Sequence, residues 1–317
     1  MAAALLGVLL AAAPAAAADP EEWLLNADRP DMHQPPLLHV PEPDGADAGQ
    51  PASEPARPRP TDPPRSTPTP TPEPDPVGYD ISYPQCGDDY PESFGFAIVG
   101  VNGGRVYDIN PCFGTDGRHP SQLEWAGEEA DLYFNTGNPG PRLSRYWPGG
   151  ADQPRECETG DNPQRDSEDC AFNYGWNATD HAYGAVLEAY VDLGWADEDA
   201  ERLPDGMTIW LDVEEANSWR RDRALNVAAL EGSVAYLESM GTDRIGFYST
   251  PRLWDRITGG TDAFAEHPAW HAGARDRADA ERRCGEETAF TGGELAMVQW
   301  VEDDLDHNIR CADLDAG

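Results

Sequence analysis

Met207-Thr-Ile-Trp-Leu-Asp-Val-Glu214 reads as a buried strand that runs out into two carboxylates. It is a short apolar run of strand length, and it is rich in β-branched and aromatic residues. Strand side chains alternate, so Asp212 and Glu214 share one face while Val213 packs on the other. The pair sits at the strand's C-terminal end, where parallel α/β sheets and barrels build their sites. Two close carboxylates do not both ionise cheaply, so one is expected to keep its proton near neutrality. The plain alternative is a solvated strand end, because Asp-x-Glu arises easily in a chain with 59 acidic residues.

Similar apolar runs lie on either side, at 77–82, 94–101, 131–135, 244–249, 269–272 and 295–300. Helical stripes separate some of them. Residues 179–194 carry Ala182, Val186, Leu187, Tyr190 and Val191 on one face, and residues 226–240 carry Val227, Leu230, Val234 and Leu237. Gly194 and Gly241 stand where a helix cap is needed. Near-continuous apolar strands alternating with helices predict a parallel sheet covered by helices. The fold class expected is α/β, a β/α (TIM-like) barrel with room for irregularity, spanning residues 77–317. Pro, Gly and acidic residues crowd 138–168, which predicts a long loop.

Upstream the composition is different. Ala2 to Ala18 is Ala/Leu/Val-rich and ends in Ala-x-Ala before Asp19, so residues 1–18 read as a signal peptide. Residues 19–76 are dominated by Pro, Asp, Glu, Ala and Thr and read as a disordered, polyproline-like linker. No further run has the length to span a membrane. The protein is expected to be secreted, either extracellular or associated with the cell wall.

Cys86, Cys112, Cys157, Cys170, Cys284 and Cys311 are even in number and carry no C-x-x-C pair. In an exported protein they predict three disulfides and no metal site. Fifteen connectivities are open; pairing of sequence neighbours is expected because each bond then closes a modest loop. The net charge is −37, and all 22 basic residues are Arg. This charge argues against nucleic acid, whose phosphates are repelled. A salt-tolerant source fits the acidity, and so does a GC-rich genome that replaces Lys by Arg. No cofactor is expected, and a monomer is.

Asp80, in Gly78-Tyr-Asp-Ile-Ser, adds a third carboxylate on the first strand. Five segments then fall in a telling order: Gly78-Tyr-Asp-Ile-Ser, Leu211-Asp-Val-Glu, Gly246-Phe-Tyr-Ser-Thr, Ala269-Trp-His-Ala and Val298-Gln-Trp. Together they resemble glycoside hydrolase family 25, the lysozyme-like N-acetylmuramidases with a β/α barrel, over nearly all of residues 77–313. The resemblance implies that Glu214 is the general acid that protonates the leaving glycosidic oxygen. It implies that Asp212 stabilises the oxocarbenium-like charge or orients the acetamido group, and that Asp80 binds sugar or tunes charge. Tyr248 and Trp300 are then expected to line sugar subsites, with core packing as their alternative, and Asp306 falls near a late family aspartate.

One departure stands out. The third strand ends Leu132-Tyr-Phe-Asn135, where family members usually carry Tyr-His. Asn102, Asn110, Asn135 and Asn138, in Asn/Gly-rich segments, and Asn217 are able to point at a glycan, although turn formation is the simpler role for each. The function expected is hydrolysis of peptidoglycan or a related N-acetylated polysaccharide. The alternatives are a catalytically inactive glycan- or cell-envelope-binding barrel, and hydrolysis of a different glycan.

Overall fold

The computed structural model describes residues 77–115, 117–148, 152–157 and 166–314. The expected signal peptide and linker lie outside the described residues. Eight strands close into a barrel in chain order. They are β1 (Val77–Ile81), β2 (Ala97–Gly100), β3 (Asp131–Asn135), β4 (Thr208–Asp212), β5 (Arg244–Ser249), β6 (Ala269–Ala274), β7 (Leu295–Glu302) and β8 (Leu305–Arg310). The helices are α1 (Gln122–Ala126), α2 (Glu168–Asp192), α3 (Arg223–Ser239), α4 (Pro251–Thr258), α5 (Arg277–Glu286) and α6 (Cys311–Leu314).

The expected parallel pairing holds from β1 through β7. It fails at β8, which runs antiparallel to both β7 and β1. The cause is local. Asp303 and Asp304 have φ of 52° and 63°, a two-residue left-handed turn whose twist suits a hairpin. Asp tolerates this region better than most residues that carry a Cβ. The hairpin therefore returns the chain past β1, bringing Asp306 level with Asp80.

Inside the barrel, Ile98, Trp210, Trp270 and Met297 make a buried apolar floor. Its large rings fit because glycines face them from the next strand. Gly100 is in register with Tyr133 and Gly246 with Trp210, and a Cβ on either glycine would overlap the facing ring. Outside, Leu132, Phe134, Ile209, Leu211 and Val213 share one buried cluster with Tyr183, Val186, Tyr190, Leu230 and Leu237 of the covering helices.

Helix α2 begins well before the apolar stripe that predicted it. Ser167 caps it, accepting from the Cys170 N–H. Its first half contains Asn173, Gly175 and Asn177, poor helix formers with specific tasks here. Asn173 donates to Gln153 and to the Arg155 carbonyl, fastening the preceding loop. Asn177 donates to the Asp152 and Asn173 carbonyls, so this buried amide is no surface glycan acceptor despite its Asn-Ala-Thr context. Gly175 lets α3 pack against α2 at backbone distance. Both expected glycines follow the helix ends, with φ of 74° at Gly194 and 78° at Gly241. The disulfides pair as sequence neighbours: Cys86–Cys112, Cys157–Cys170 and Cys284–Cys311.

Candidate active site

Parallel strands put their C-terminal ends at one mouth, and the expected carboxylates gather there. Strand β4 ends at Asp212, in register with Asn135 on β3 and Tyr248 on β5. Across the barrel, Asp80 on β1 is in register with Asp306 on β8. Glu214 lies just past β4 on a segment held from several sides. The Val213 N–H donates to the Tyr248 carbonyl at 2.9 Å, and Ser249 Oγ donates to the Val213 carbonyl at 2.7 Å. The Glu214 carbonyl accepts from the Trp219 indole at 2.8 Å and from the Asn217 N–H at 3.2 Å. Glu214 thus has a fixed backbone and a side chain that is partly open to solvent.

Asp212 is buried, and its two oxygens differ. Oδ2 accepts from Asn135 Nδ2 at 2.7 Å and Asn217 Nδ2 at 3.3 Å, whereas Oδ1 has no hydrogen-bond partner. Asp80 is also buried. It accepts from Asn308 Nδ2 at 2.6 Å and from Gln299 Nε2 at 3.0 and 3.2 Å. Behind these amides, Trp270 Nε1 donates to Asn308 Oδ1 at 2.8 Å, and the Tyr248 hydroxyl donates to Gln299 Oε1 at 2.9 Å.

All four carboxyls are pushed above their ordinary range. Burial is the largest cause for each. For Asp80 the charge of Asp306 adds to it, against the hydrogen bonds from Asn308 and Gln299. For Asp212 the neighbouring Glu214 adds, against Asn217 and Asn135. For Glu214 the charge of Asp306 adds, and the nearby Tyr248 hydroxyl opposes. For Asp306 only His307 opposes. The four titrate as a group and do not all carry charge at once. Burial also raises Tyr248 well above the usual phenol range and keeps it neutral.

The other expected residues divide. Asn135 and Asn217 are at the mouth, with their amides already engaged by Asp212. Asn102 and Asn110 are spent on the surrounding framework: Asn102 donates to the Val106 carbonyl and accepts from the Asn135 N–H, and Asn110 donates to the Gly100 carbonyl and to Gln122. Asn138 is buried with neither amide atom paired. Trp300 corrects an expectation. Gln299 faces into the barrel, so its neighbour Trp300 faces out, packed with Val298, Ile309 and Ala280 rather than lining a subsite. Gln299, Asn308 and Trp270 are members of the site that the sequence reading left out. For Gln299 the signal was a polar residue inside an apolar strand, in Val298-Gln-Trp300.

A groove of about 430 Å³ has walls that include Ile81, Tyr90, Asp303, Asp304 and Leu305, and none of the four carboxyls lines it. Among the described residues, the one grouping of three potential metal ligands is Cys86, Cys112 and His119, and a disulfide joins the two sulfurs.

Residues 204–286, which hold Asp212, Glu214 and Tyr248, match a family model described as Lysozyme-like protein 1. A 64-residue stretch is 39% identical to the probable GH family 25 lysozyme 4 of Dictyostelium discoideum, covering 20% of this chain and 29% of that protein. Lysozyme 2 of the same organism matches at 38% over the same length. The matched stretch is similar to glycoside hydrolase family 25 lysozymes. The aligned stretch spans under a third of these curated relatives. Among solved structures, a muramidase from Trichobolus zukalii aligns at 16% identity and TM-score 0.40, over 74% of this chain and 92% of that one. A Streptomyces coelicolor lysozyme aligns at 14% and 0.42, over 74% and 91%.

Proposed function

We propose that this chain is a secreted glycoside hydrolase that cleaves peptidoglycan or a related N-acetylated glycan. One observation carries the reading. Asp80, Asp212, Glu214 and Asp306 meet at a single barrel mouth, each biased by burial toward its protonated form. Glu214 is the acid. Its proton goes to the glycosidic oxygen as the bond to the anomeric carbon breaks, leaving positive charge on the ring. Asp212, held by its two amide partners at Oδ2, answers that charge or orients an acetamido group. The Glu214 carboxylate then takes a proton from the attacking water and is restored. The charge of Asp306 adds to burial in keeping Glu214 protonated to higher pH.

Three disulfides favour an oxidising, extracellular setting. Among the described residues no helix is long and apolar enough to cross a membrane. The protein acts as a monomer on a polysaccharide, without a cofactor.

A second reading, a barrel that binds glycan without turnover, draws on Asn135 standing where the muramidases carry His. Incubation with purified peptidoglycan at low and high salt separates the two. New reducing ends are expected. Tight binding with no reducing ends at any salt concentration rejects hydrolysis and selects the binding reading.

A further inference from the structure

We infer that Trp219 is a positioning residue for the proposed acid: its indole holds the main-chain carbonyl of Glu214 and so sets where the Glu214 carboxyl stands relative to Asp212. The catalytic meaning rests on the proposed function; the contact itself does not.

The strand ladder stops short of the acid. The register of β4 with β5 ends at Asp212 and Tyr248. Val213 is still held from β5 on both sides, its N–H by the Tyr248 carbonyl at 2.9 Å and its carbonyl by Ser249 Oγ at 2.7 Å. At Glu214 the hold passes to the turn that follows. Its carbonyl oxygen accepts from the Asn217 N–H at 3.2 Å and from Trp219 Nε1 at 2.8 Å, one donor for each lone pair. The shorter bond comes from a side chain five residues further on.

That turn is tied three ways by three successive residues. Asn217 Nδ2 donates to the Asp212 carbonyl and to Asp212 Oδ2, both at 3.3 Å. The Ser218 carbonyl accepts from the Asn138 N–H, on the loop after β3, at 2.7 Å. Trp219 reaches back to Glu214. One turn therefore fastens both carboxylate-bearing residues and is itself fastened to the neighbouring loop. The indole suits the task because its N–H only donates, so the pair cannot reverse. Its half-buried ring packs against the cluster between the strands and the covering helices. The carbonyl of Glu214 is thereby referred to the core rather than to a free loop. This matters because the Glu214 side chain is partly open to solvent, and a displacement of about 1 Å at a reacting group costs on the order of 10²-fold in rate.

The alternative is a ring that only fills space. Replacing Trp219 by 3-benzothienylalanine separates the two, since sulfur takes the place of the N–H while the ring keeps its shape. On soluble peptidoglycan oligomers kcat is expected to fall roughly tenfold, with KM changed by less than about twofold. Hydrogen exchange of the Asn217 N–H, which shares the Glu214 carbonyl, is expected to quicken roughly tenfold. An unchanged kcat overturns the inference. So does a change confined to KM, which would put the ring against glycan, and so does unaltered exchange, which would mean that the carbonyl is held without the indole. Exchange needs no turnover: a native protein that fails to hydrolyse glycan rejects the proposed function, and exchange still decides the contact. If the substituted chain does not fold, a crystal structure of the native protein decides. The indole nitrogen is expected within hydrogen-bonding distance of the Glu214 carbonyl oxygen, and an indole turned to solvent or to another acceptor overturns the inference.

Discussion

Asn135 donates a 2.7 Å hydrogen bond to Asp212 Oδ2 between adjacent strand ends, and so fixes one oxygen of the carboxyl while the other is buried without a partner. An amide does this without adding a titrating group. The carboxyl keeps its orientation, and the charge balance of the mouth is left to the acids.

If that bond orients Asp212, Asn135→Ala is expected to lower kcat by roughly 10²-fold, the usual scale for a misplaced reacting group. KM is expected to change little. Steady-state kinetics on soluble glycan oligomers check this, and a change confined to KM would assign Asn135 to substrate binding instead.

Asp306 is the charge that, after burial, does most to raise Glu214. Asp306→Asn removes it, so Glu214 is expected to lose its proton at lower pH. The basic limb of the pH–rate profile then moves down while the rate on the acid side is kept. A limb that stays in place means another group sets it.

Asp80 has a stability consequence whose sign follows from its raised pKa. The folded protein holds this proton more tightly than the unfolded chain does. Its contribution is therefore favourable below the ordinary Asp range and is lost as pH rises through the folded-state pKa. Asp80→Asn keeps an oxygen for the two amides and removes the buried charge. Its Tm is expected to exceed that of the native protein at pH 7, with the two converging below about pH 4. Thermal melts across pH measure it, and a variant less stable at pH 7 contradicts the expectation.

The pairing of α2 with α3 depends on two glycines. A Cβ on Gly175 would overlap the Ala229 carbonyl, and one on Gly232 the Phe172 carbonyl. Neither obstacle is a side chain that can swing aside. Gly175→Ala and Gly232→Ala are each expected to cost roughly 1–3 kcal/mol or more in urea melts, despite the better helix propensity of Ala.

Much of this site was legible in the sequence because it depends on local parity. Asp212 and Glu214 sit two apart at the end of an apolar run, and Asp80 lies inside another. The eighth strand was harder. Leu305-Asp-His-Asn-Ile-Arg310 lacks an apolar run, and its Asp303-Asp304 turn lacks the glycine that marks most such hairpins. Gln299 and Asn308 gain their roles from Asp80, more than two hundred residues away in the chain. No window over the sequence contains that relationship. Trp300 was expected at the mouth through its motif, yet strand parity alone turns it outward once Gln299 faces in. The first half of α2 was hidden by Asn and Gly, whose low helix propensity is offset by tertiary contacts.

The most direct test of the account is the rate at which purified Glu214→Gln releases reducing ends from peptidoglycan, compared with the native protein under the same conditions. Gln keeps the shape and cannot supply the proton. A loss of roughly 10²–10⁴-fold with glycan binding retained is the expected result. Equal rates in the two proteins would contradict the assignment of Glu214 as the acid.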